Sequence, residues 1–153
     1  KRAFLIRRHM EKIKVLLENG LRTRVTSSER LLVTDGPKAV SGLGEFFSPT
    51  ELLIISVGSC MLTMMGYKAK ELKIDLVGSY LRLTKEMQIV PIRRLKFIGI
   101  EFFCPSAFST IITQKLIQEA EKCPVIHSLH PEIQKKIIYH WGDKSEVQSG
   151  NWV

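Results

Sequence analysis

The stretch "SPTELLIISVGSCMLTMMGYKAKE", residues 48–71, decides the fold, because it predicts one long helix that the remaining elements must cover. Ser48 is a preferred N-cap residue, Pro49 is favoured at the first helical position, and Glu51 places a negative charge in the first turn. From there to about Glu71, apolar residues occupy nearly every face of the helix. The pattern predicts a helix that is buried on all sides.

Alternating apolar residues predict strands on both sides of this helix. Three strands are expected before it, at residues 11–17, 21–26 and 30–35, and the "NG" at 19–20 predicts a hairpin between the first two. After the helix we expect strands at 73–86 and 94–104, an amphipathic helix at 109–122, a short helix or turn at 123–130, and a strand at 132–141. This order predicts an α+β fold, with antiparallel sheets around a long buried central helix.

The chain is expected to divide into three parts. Residues 1–10 end in the His-Met step that a common cloning site leaves, so we interpret them as a vector-derived tag. Residues 11–142 are expected to form a single domain, and residues 143–153 a polar C-terminal tail. The formal charge is +8, and the four basic residues of 1–10, where no acid occurs, leave +4 for the remainder. Without a basic-aromatic cluster in the sequence, this modest charge does not favour nucleic acid as a partner.

The sequence favours a cytoplasmic protein that does not enter a membrane. The apolar segment near the N-terminus is only "AFLI", which is too short for the core of a signal peptide. The apolar run at 52–67 is 16 residues long, whereas a membrane span needs about 20. Three widely spaced cysteines do not form a disulfide framework, so reduced thiols are expected.

Cys60 and Cys123 are the candidate nucleophiles. Because a thiol attacks a peroxide only as the thiolate, the question for each is what would lower its pKa. Cys123 directly precedes Pro124, at an N-cap position whose free N–H groups favour an anion. Cys60 lies about nine residues inside its helix, beyond the reach of the terminal dipole, so its thiolate would need a cation. Arg22 or Arg24 in "LRTRV" could supply one. From the residues alone, core packing is the more frequent explanation of a cysteine in an apolar helix such as Cys60.

Other chemically interesting residues have a structural interpretation that is at least as good. Cys104 is interpreted as structural, and His127 and His130 do not complete a compact set of four metal ligands, so no metal is expected. The apolar residues near Cys60 could either contact a substrate or simply pack in the core. They are Met61, Met64 and Met65 around Cys60, and Phe46 and Phe47 before the helix.

The segments "SPTELLIISVGSCMLTM" and "LIQEAEKCPVIHSL" together resemble the OsmC/Ohr family, the osmotically inducible proteins C and the organic hydroperoxide resistance proteins. The resemblance covers most of residues 11–142. It implies an intertwined homodimer with two active sites at the interface, and a thiol peroxidase that acts in oxidative-stress defence without a cofactor. Cys60 would be the peroxidatic thiolate that becomes a sulfenic acid. Cys123, expected near the surface, would be the resolving thiol that forms a disulfide with it.

The resemblance also implies the remaining partners of the reaction. The substrate would be an organic hydroperoxide, and an external dithiol, either a lipoyl-protein or a thioredoxin-like donor, would reduce the disulfide. The family's thiolate-stabilising arginine falls best on Arg22, with Arg24 as the alternative.

One position departs from the family pattern. The glutamate that orients the arginine usually stands ten residues before the cysteine, where this chain has Thr50. Glu51 fits better as a charge at the helix N-terminus, and Glu45 in the preceding loop is the other candidate. The departure resembles the OsmC-like branch. It also keeps two alternatives open on the same scaffold, a non-enzymatic protein that binds small apolar ligands and a thiol redox sensor.

Overall fold

The computed structural model describes residues 12–142 and the backbone of a strand at 144–148, and it has the α+β architecture predicted from the sequence. The proposed tag at residues 1–10 lies outside the described residues. Two compact units form, one ending at Glu51 and one beginning at Leu52. The division falls in the first turn of the long helix.

The first unit contains an antiparallel three-stranded sheet in the order β1-β2-β3. Its strands are β1 at Lys14–Asn19, β2 at Arg22–Ser27 and β3 at Arg30–Thr34. The predicted hairpin is present, and Gly20 adopts a left-handed φ of 54° at its turn, which glycine does without steric cost. The loop after β3 carries a 3₁₀ turn at Lys38–Val40.

Many apolar side chains of the first unit are exposed in the single chain. The group includes Ile13, Val15, Leu16, Leu17, Leu31 and Leu32 of the sheet region. Exposed apolar side chains in such number are typical of an interaction site rather than of a free protein surface.

The second unit contains a four-stranded sheet in the order β4-β5-β6-β7, with three helices. The helices are α1 at Pro49–Leu72, which begins before the division between the units, α2 at Thr110–Ala120 and α3 at Pro124–His127. The strands are β4 at Tyr80–Gln88, β5 at Arg94–Cys104, β6 at Gln134–Trp141 and β7 at Lys144–Gln148.

Three sequence predictions about this unit need correction. Strands β5 and β6 pair in parallel rather than antiparallel, because α2 and α3 form the long crossover that parallel neighbours require. Strand β4 begins at Tyr80, not at 73, because the Asp75 carboxylate accepts the Val77 N–H at 2.8 Å in a turn that precedes it. Part of the expected polar tail is a strand, β7, which pairs antiparallel with β6.

Helix α1 buries one side rather than all of its surface. Its buried positions recur every three or four residues and are Ile54, Val57, Gly58, Met61, Met65 and Ala69. Tyr67 on another face is 67% exposed. By length and composition α1 could cross a membrane, but core helices of globular proteins pass the same test. Here its buried stripe packs into a core with β5, α2 and β6, which include Ile98, Phe102, Leu116 and Tyr139.

Candidate active site

The structure brings Cys60 and Cys123 together, although 62 residues separate them in sequence. Cys60 lies in the middle of α1 and Cys123 is the N-cap residue of α3. The Cys60 side chain is a hydrogen-bond partner of the Cys123 thiol, and Cys123 Sγ lies 3.9 Å from the carbonyl oxygen of Val57, one turn before Cys60. The second unit therefore brings the two thiols into contact with each other.

Burial, more than the N-cap position, governs the ionisation of Cys123. Desolvation raises the pKa of Cys123, and the hydrogen bond and charge of Cys60 raise it further, to about 11. The N–H groups of Ile126 and Val125 act in the opposite direction, as an N-cap position predicts, but they do not prevail. The expectation that the helix N-terminus would make Cys123 the readily ionised thiol is therefore wrong. At neutral pH Cys123 is a thiol.

The exposure of the two sulfurs also differs from the prediction. Cys123 is 0% exposed, whereas Cys60 is half-buried. The expected surface position of Cys123 is therefore wrong for the single chain, because Cys123 and Ile126 belong to the main core cluster. Of the two sulfurs, Cys60 is the one that a solute can reach.

Gly58, two residues before Cys60, lies where α1 packs against β4. A Cβ built on Gly58 would lie 3.0 Å from methyl groups of both Leu81 and Leu83 on β4. The absence of a side chain at Gly58 thus lets α1 approach the sheet closely. The neighbouring Met61 and Met65 are buried in the core, so packing accounts for these two methionines.

Arg22 lies in the first unit, where it binds two carboxylates. Its Nη2 donates to Asp35 Oδ2 at 3.0 Å and also to Glu45 Oε2. The guanidinium stands over the Phe46 ring, 4.9 Å from the ring centroid, a cation–π geometry. Arg22 Nε is buried and has no acceptor among the residues that the structure describes.

Asp35 is a buried partner of Arg22 that the sequence analysis did not identify. Its carboxylate is 2% exposed and accepts the N–H of Glu45 at 3.3 Å in addition to Arg22. Burial acts to raise the pKa of Asp35, but the hydrogen bonds from Arg22, Glu45 and Gly36 and the charge of Arg22 together lower it below its ordinary value. Asp35 therefore stays ionised and holds both the arginine and the loop.

The other candidates near Arg22 have different partners. Arg24 pairs with Glu18 on β1, so it already has a surface counter-ion. Glu51 Oε2 accepts the backbone N–H and the hydroxyl of Ser48, both at 2.7 Å, and the Glu51 N–H reaches Ser48 Oγ at 3.4 Å. This reciprocal capping box accords with the interpretation of Glu51 as a helix-terminal charge.

A groove of about 670 Å³ lies in the first unit beside Glu45. Apolar side chains dominate its lining, among them Leu31, Leu32, Val33, Phe46 and Phe47, and Lys38 and Glu51 contribute charges. Phe46 and Phe47 both line this groove. The groove suits a molecule with a hydrocarbon body.

The histidines after Cys123 have partners other than a metal. His127 Nε2 lies 2.7 Å from the carbonyl oxygen of Glu121, and His130 contacts Arg94. Within residues 12–142, no group of three or more metal-ligating side chains has the geometry to hold an ion.

A two-unit α+β chain with a long helix and a hydrogen-bonded pair of cysteines, one of them fully buried, defines the class of OsmC-like proteins. The OsmC-like protein family model matches residues 42–137, and the chain belongs to this family. The match includes both cysteines, Glu45 and the capping box, while Arg22 and Asp35 precede it. No curated protein matches the chain in sequence.

Solved structures agree with this assignment. An osmotic stress induced and detoxification response protein from Psychrobacter arcticus is 36% identical, with 84% of this chain and 94% of that chain covered and a TM-score of 0.79. An OsmC-like protein from Mycoplasma pneumoniae shares the fold at 15% identity, covering 86% and 96% with a TM-score of 0.73. The organic hydroperoxide resistance protein OhrB of Bacillus subtilis does so at 18% identity, covering 85% and 98% with a TM-score of 0.64.

Proposed function

We propose that this protein is a cysteine-based peroxidase that reduces organic hydroperoxides. The observation that carries the proposal is the contact between Cys60 and Cys123, which pairs a partly buried cysteine with a fully buried one. Membership of the OsmC-like family and structural neighbours named for hydroperoxide resistance support a peroxide-related redox role. A cytoplasmic location would keep both thiols reduced between turnovers.

In the first step the Cys60 thiolate attacks the terminal oxygen of the hydroperoxide. The O–O bond breaks, the sulfur becomes a sulfenic acid, and the alkoxide leaves as the alcohol after taking a proton. Cys60 is the better nucleophile of the pair for two reasons that the structure supplies. It is the more accessible sulfur, and Cys123, with a pKa of about 11, keeps its proton at neutral pH.

In the second step Cys123 resolves the sulfenic acid. Its sulfur attacks the Cys60 sulfur, the S–O bond breaks, and the hydroxyl leaves as water with the proton of the Cys123 thiol. The hydrogen-bonded contact of the two side chains provides the proximity that this step needs. An external dithiol, from a lipoyl-protein or a thioredoxin-like donor, then reduces the Cys60–Cys123 disulfide and is itself oxidised to a disulfide.

We further propose that the protein works as a homodimer and that Arg22 is the cation for the Cys60 thiolate. The exposed apolar residues of the first unit would be covered by a second copy of the chain. Arg22 is preferred to Arg24, because a buried carboxylate orients it and its Nε still has no acceptor in the described part of the chain. The groove beside Glu45 would receive the hydrocarbon part of the substrate.

The test is hydroperoxide consumption by the reduced protein with cumene hydroperoxide and a dithiol. Cys60→Ser should abolish turnover, and Cys123→Ser should accumulate a sulfenic acid at Cys60 that dimedone traps. Cys104→Ser is the matched control, since Cys104 is also a buried thiol but is not a partner in the Cys60–Cys123 contact, and it should retain activity. Wild-type turnover no faster than the dithiol alone would reject the peroxidase. A ligand-binding protein would then be favoured if no Cys60–Cys123 disulfide forms, and a redox sensor if one does.

A further inference from the structure

The Arg22 cluster contains two carboxylates that differ in how firmly they are held. Asp35 is 2% exposed, and its Oδ2 accepts hydrogen bonds from both Arg22 Nη2 and the Glu45 N–H. The Asp35 N–H in turn donates to the carbonyl oxygen of Phe47 at 3.2 Å. Asp35 is thus fixed by main-chain and side-chain bonds on several sides.

Glu45 is held much less firmly. Its side chain is 58% exposed, and its carboxylate accepts a hydrogen bond from Arg22. Separating Asp35 from Arg22 would leave a buried carboxylate without a cation, which would strongly destabilise the folded protein. Removing Glu45 from Arg22 only returns an exposed carboxylate to water, and exposed ion pairs contribute little. The Glu45 backbone would stay in place, because its N–H remains bound to Asp35.

The net charge of the cluster determines how it acts on an incoming anion, and this charge changes when Glu45 leaves. One guanidinium and two carboxylates sum to a net charge of −1, so the intact cluster does not attract a thiolate or the negative oxygen that develops on a peroxide. With Glu45 displaced, the Arg22–Asp35 pair is neutral, and the Arg22 Nη2 donor that Glu45 had bound becomes available to an anion.

We propose that Asp35 is the residue that positions Arg22, and that Glu45 is a displaceable counter-ion that competes with the anion of the reacting site. This inference rests on the proposed function of Arg22 as the cation for Cys60. It assigns to Glu45 an inhibitory role, opposite to that of an arginine-orienting glutamate. Glu45 therefore keeps Arg22 neutralised until a reacting anion replaces it.

The experiment compares Glu45→Gln with Glu18→Gln, a matched control that removes the carboxylate from a second Arg–Glu pair of the first unit, Arg24–Glu18. Two rates are measured at neutral pH and low salt, the oxidation of Cys60 by cumene hydroperoxide and its alkylation by iodoacetamide. Glu45→Gln should raise both rates, by about twofold to fivefold, the range expected for removal of one exposed charge pair. Glu18→Gln should leave them unchanged. A decrease or no change in Glu45→Gln would overturn the inference.

Further variants separate a positioning role from a purely structural one. Asp35→Asn keeps an acceptor for Glu45 N–H but loses the charge, and it should lower kcat for the hydroperoxide more than it raises KM. The double variant Asp35→Asn/Glu45→Gln should not recover the wild-type rate, because Arg22 would have no anchor. Recovery would overturn the role of Asp35. If wild type shows no peroxidase activity while Glu45→Gln still accelerates alkylation of Cys60, the proposed function fails and the inference stands.

Discussion

The protonation of Cys123 leads to a prediction about selective labelling of the two thiols. A pKa that rises from an ordinary value of 9.0 to about 11 makes the thiolate fraction of Cys123 at neutral pH about one hundred times smaller, tenfold for each pH unit. Iodoacetamide reacts with the thiolate. We therefore expect native protein at neutral pH to be alkylated at Cys60, while Cys123 reacts at least one hundred times more slowly than it does in urea.

The assay is peptide-resolved mass spectrometry of protein pulsed with iodoacetamide over a range of pH, with the denatured chain as the reference. Labelling of native Cys123 should appear only above about pH 10, as its pKa of about 11 requires. In Cys60→Ala the hydrogen bond and the charge of Cys60 are absent, so labelling of Cys123 should move to lower pH. The pH dependence is the informative quantity, because the smaller side chain also opens access to Cys123.

Two results would refute this reasoning. The first is native Cys123 that reacts at neutral pH as fast as the denatured chain, which would mean that burial does not control its ionisation. The second is a Cys60→Ala variant in which Cys123 labelling moves to higher pH, which would mean that Cys60 favours rather than disfavours the Cys123 thiolate.

Two further predictions concern stability. Gly66→Ala, in α1 with no atom within 4 Å of the added methyl, should stabilise the protein by about 0.5–1 kcal/mol in urea denaturation. Gly58→Ala gains the same helix propensity, but its added methyl lies 3.0 Å from methyl groups of two leucines. This variant should therefore be at least about 1 kcal/mol less stable than Gly66→Ala. Equal stabilities of the two variants would contradict the close approach of α1 to β4. Asp35→Asn should be less stable than wild type at neutral pH. The difference in stability should narrow as pH falls from the ordinary Asp value of 3.8 through the lowered native pKa of Asp35, because the stability that the native carboxylate contributes is lost as it takes up a proton. A gap that stays constant down to acid unfolding would show that the charge of Asp35 is not what stabilises the fold.

The sequence predicted best those features that local pattern determines. The start of α1 was predictable, since Ser48, Pro49 and Glu51 act within one helical turn and form the capping box that the structure contains. The N-cap position of Cys123 was predictable from Pro124. Strand β7 was missed because the polar residues of 144–148 lack the alternation that marks a half-buried strand.

Burial was harder to predict than the elements themselves. Whether Cys123 lies near the surface depends on what packs over α3, and α1 contacts it from more than 60 residues away. The direction of its pKa follows from that packing, so the local argument from the helix N-terminus was sound but incomplete. For α1 the pattern correctly indicated an apolar helix. Composition alone, however, does not show which face a single chain covers and which it leaves exposed.

The two acids that bind Arg22 show most clearly what the sequence could not predict. They come from positions 13 and 23 residues further along the chain. Asp35 faces Arg22 because β2 and β3 pair with Thr23 opposite Thr34, whereas Glu45 reaches Arg22 because the loop after β3 folds back on itself. That folding depends on two glycines, since a Cβ on Gly42 would lie 1.8 Å from the Gly36 carbonyl oxygen. In the sequence these glycines are ordinary loop residues. The acid that the helix pattern offered, Glu51, is instead engaged at the helix N-terminus, so a loop supplies the carboxylates, one held in the interior and one free to exchange with solvent.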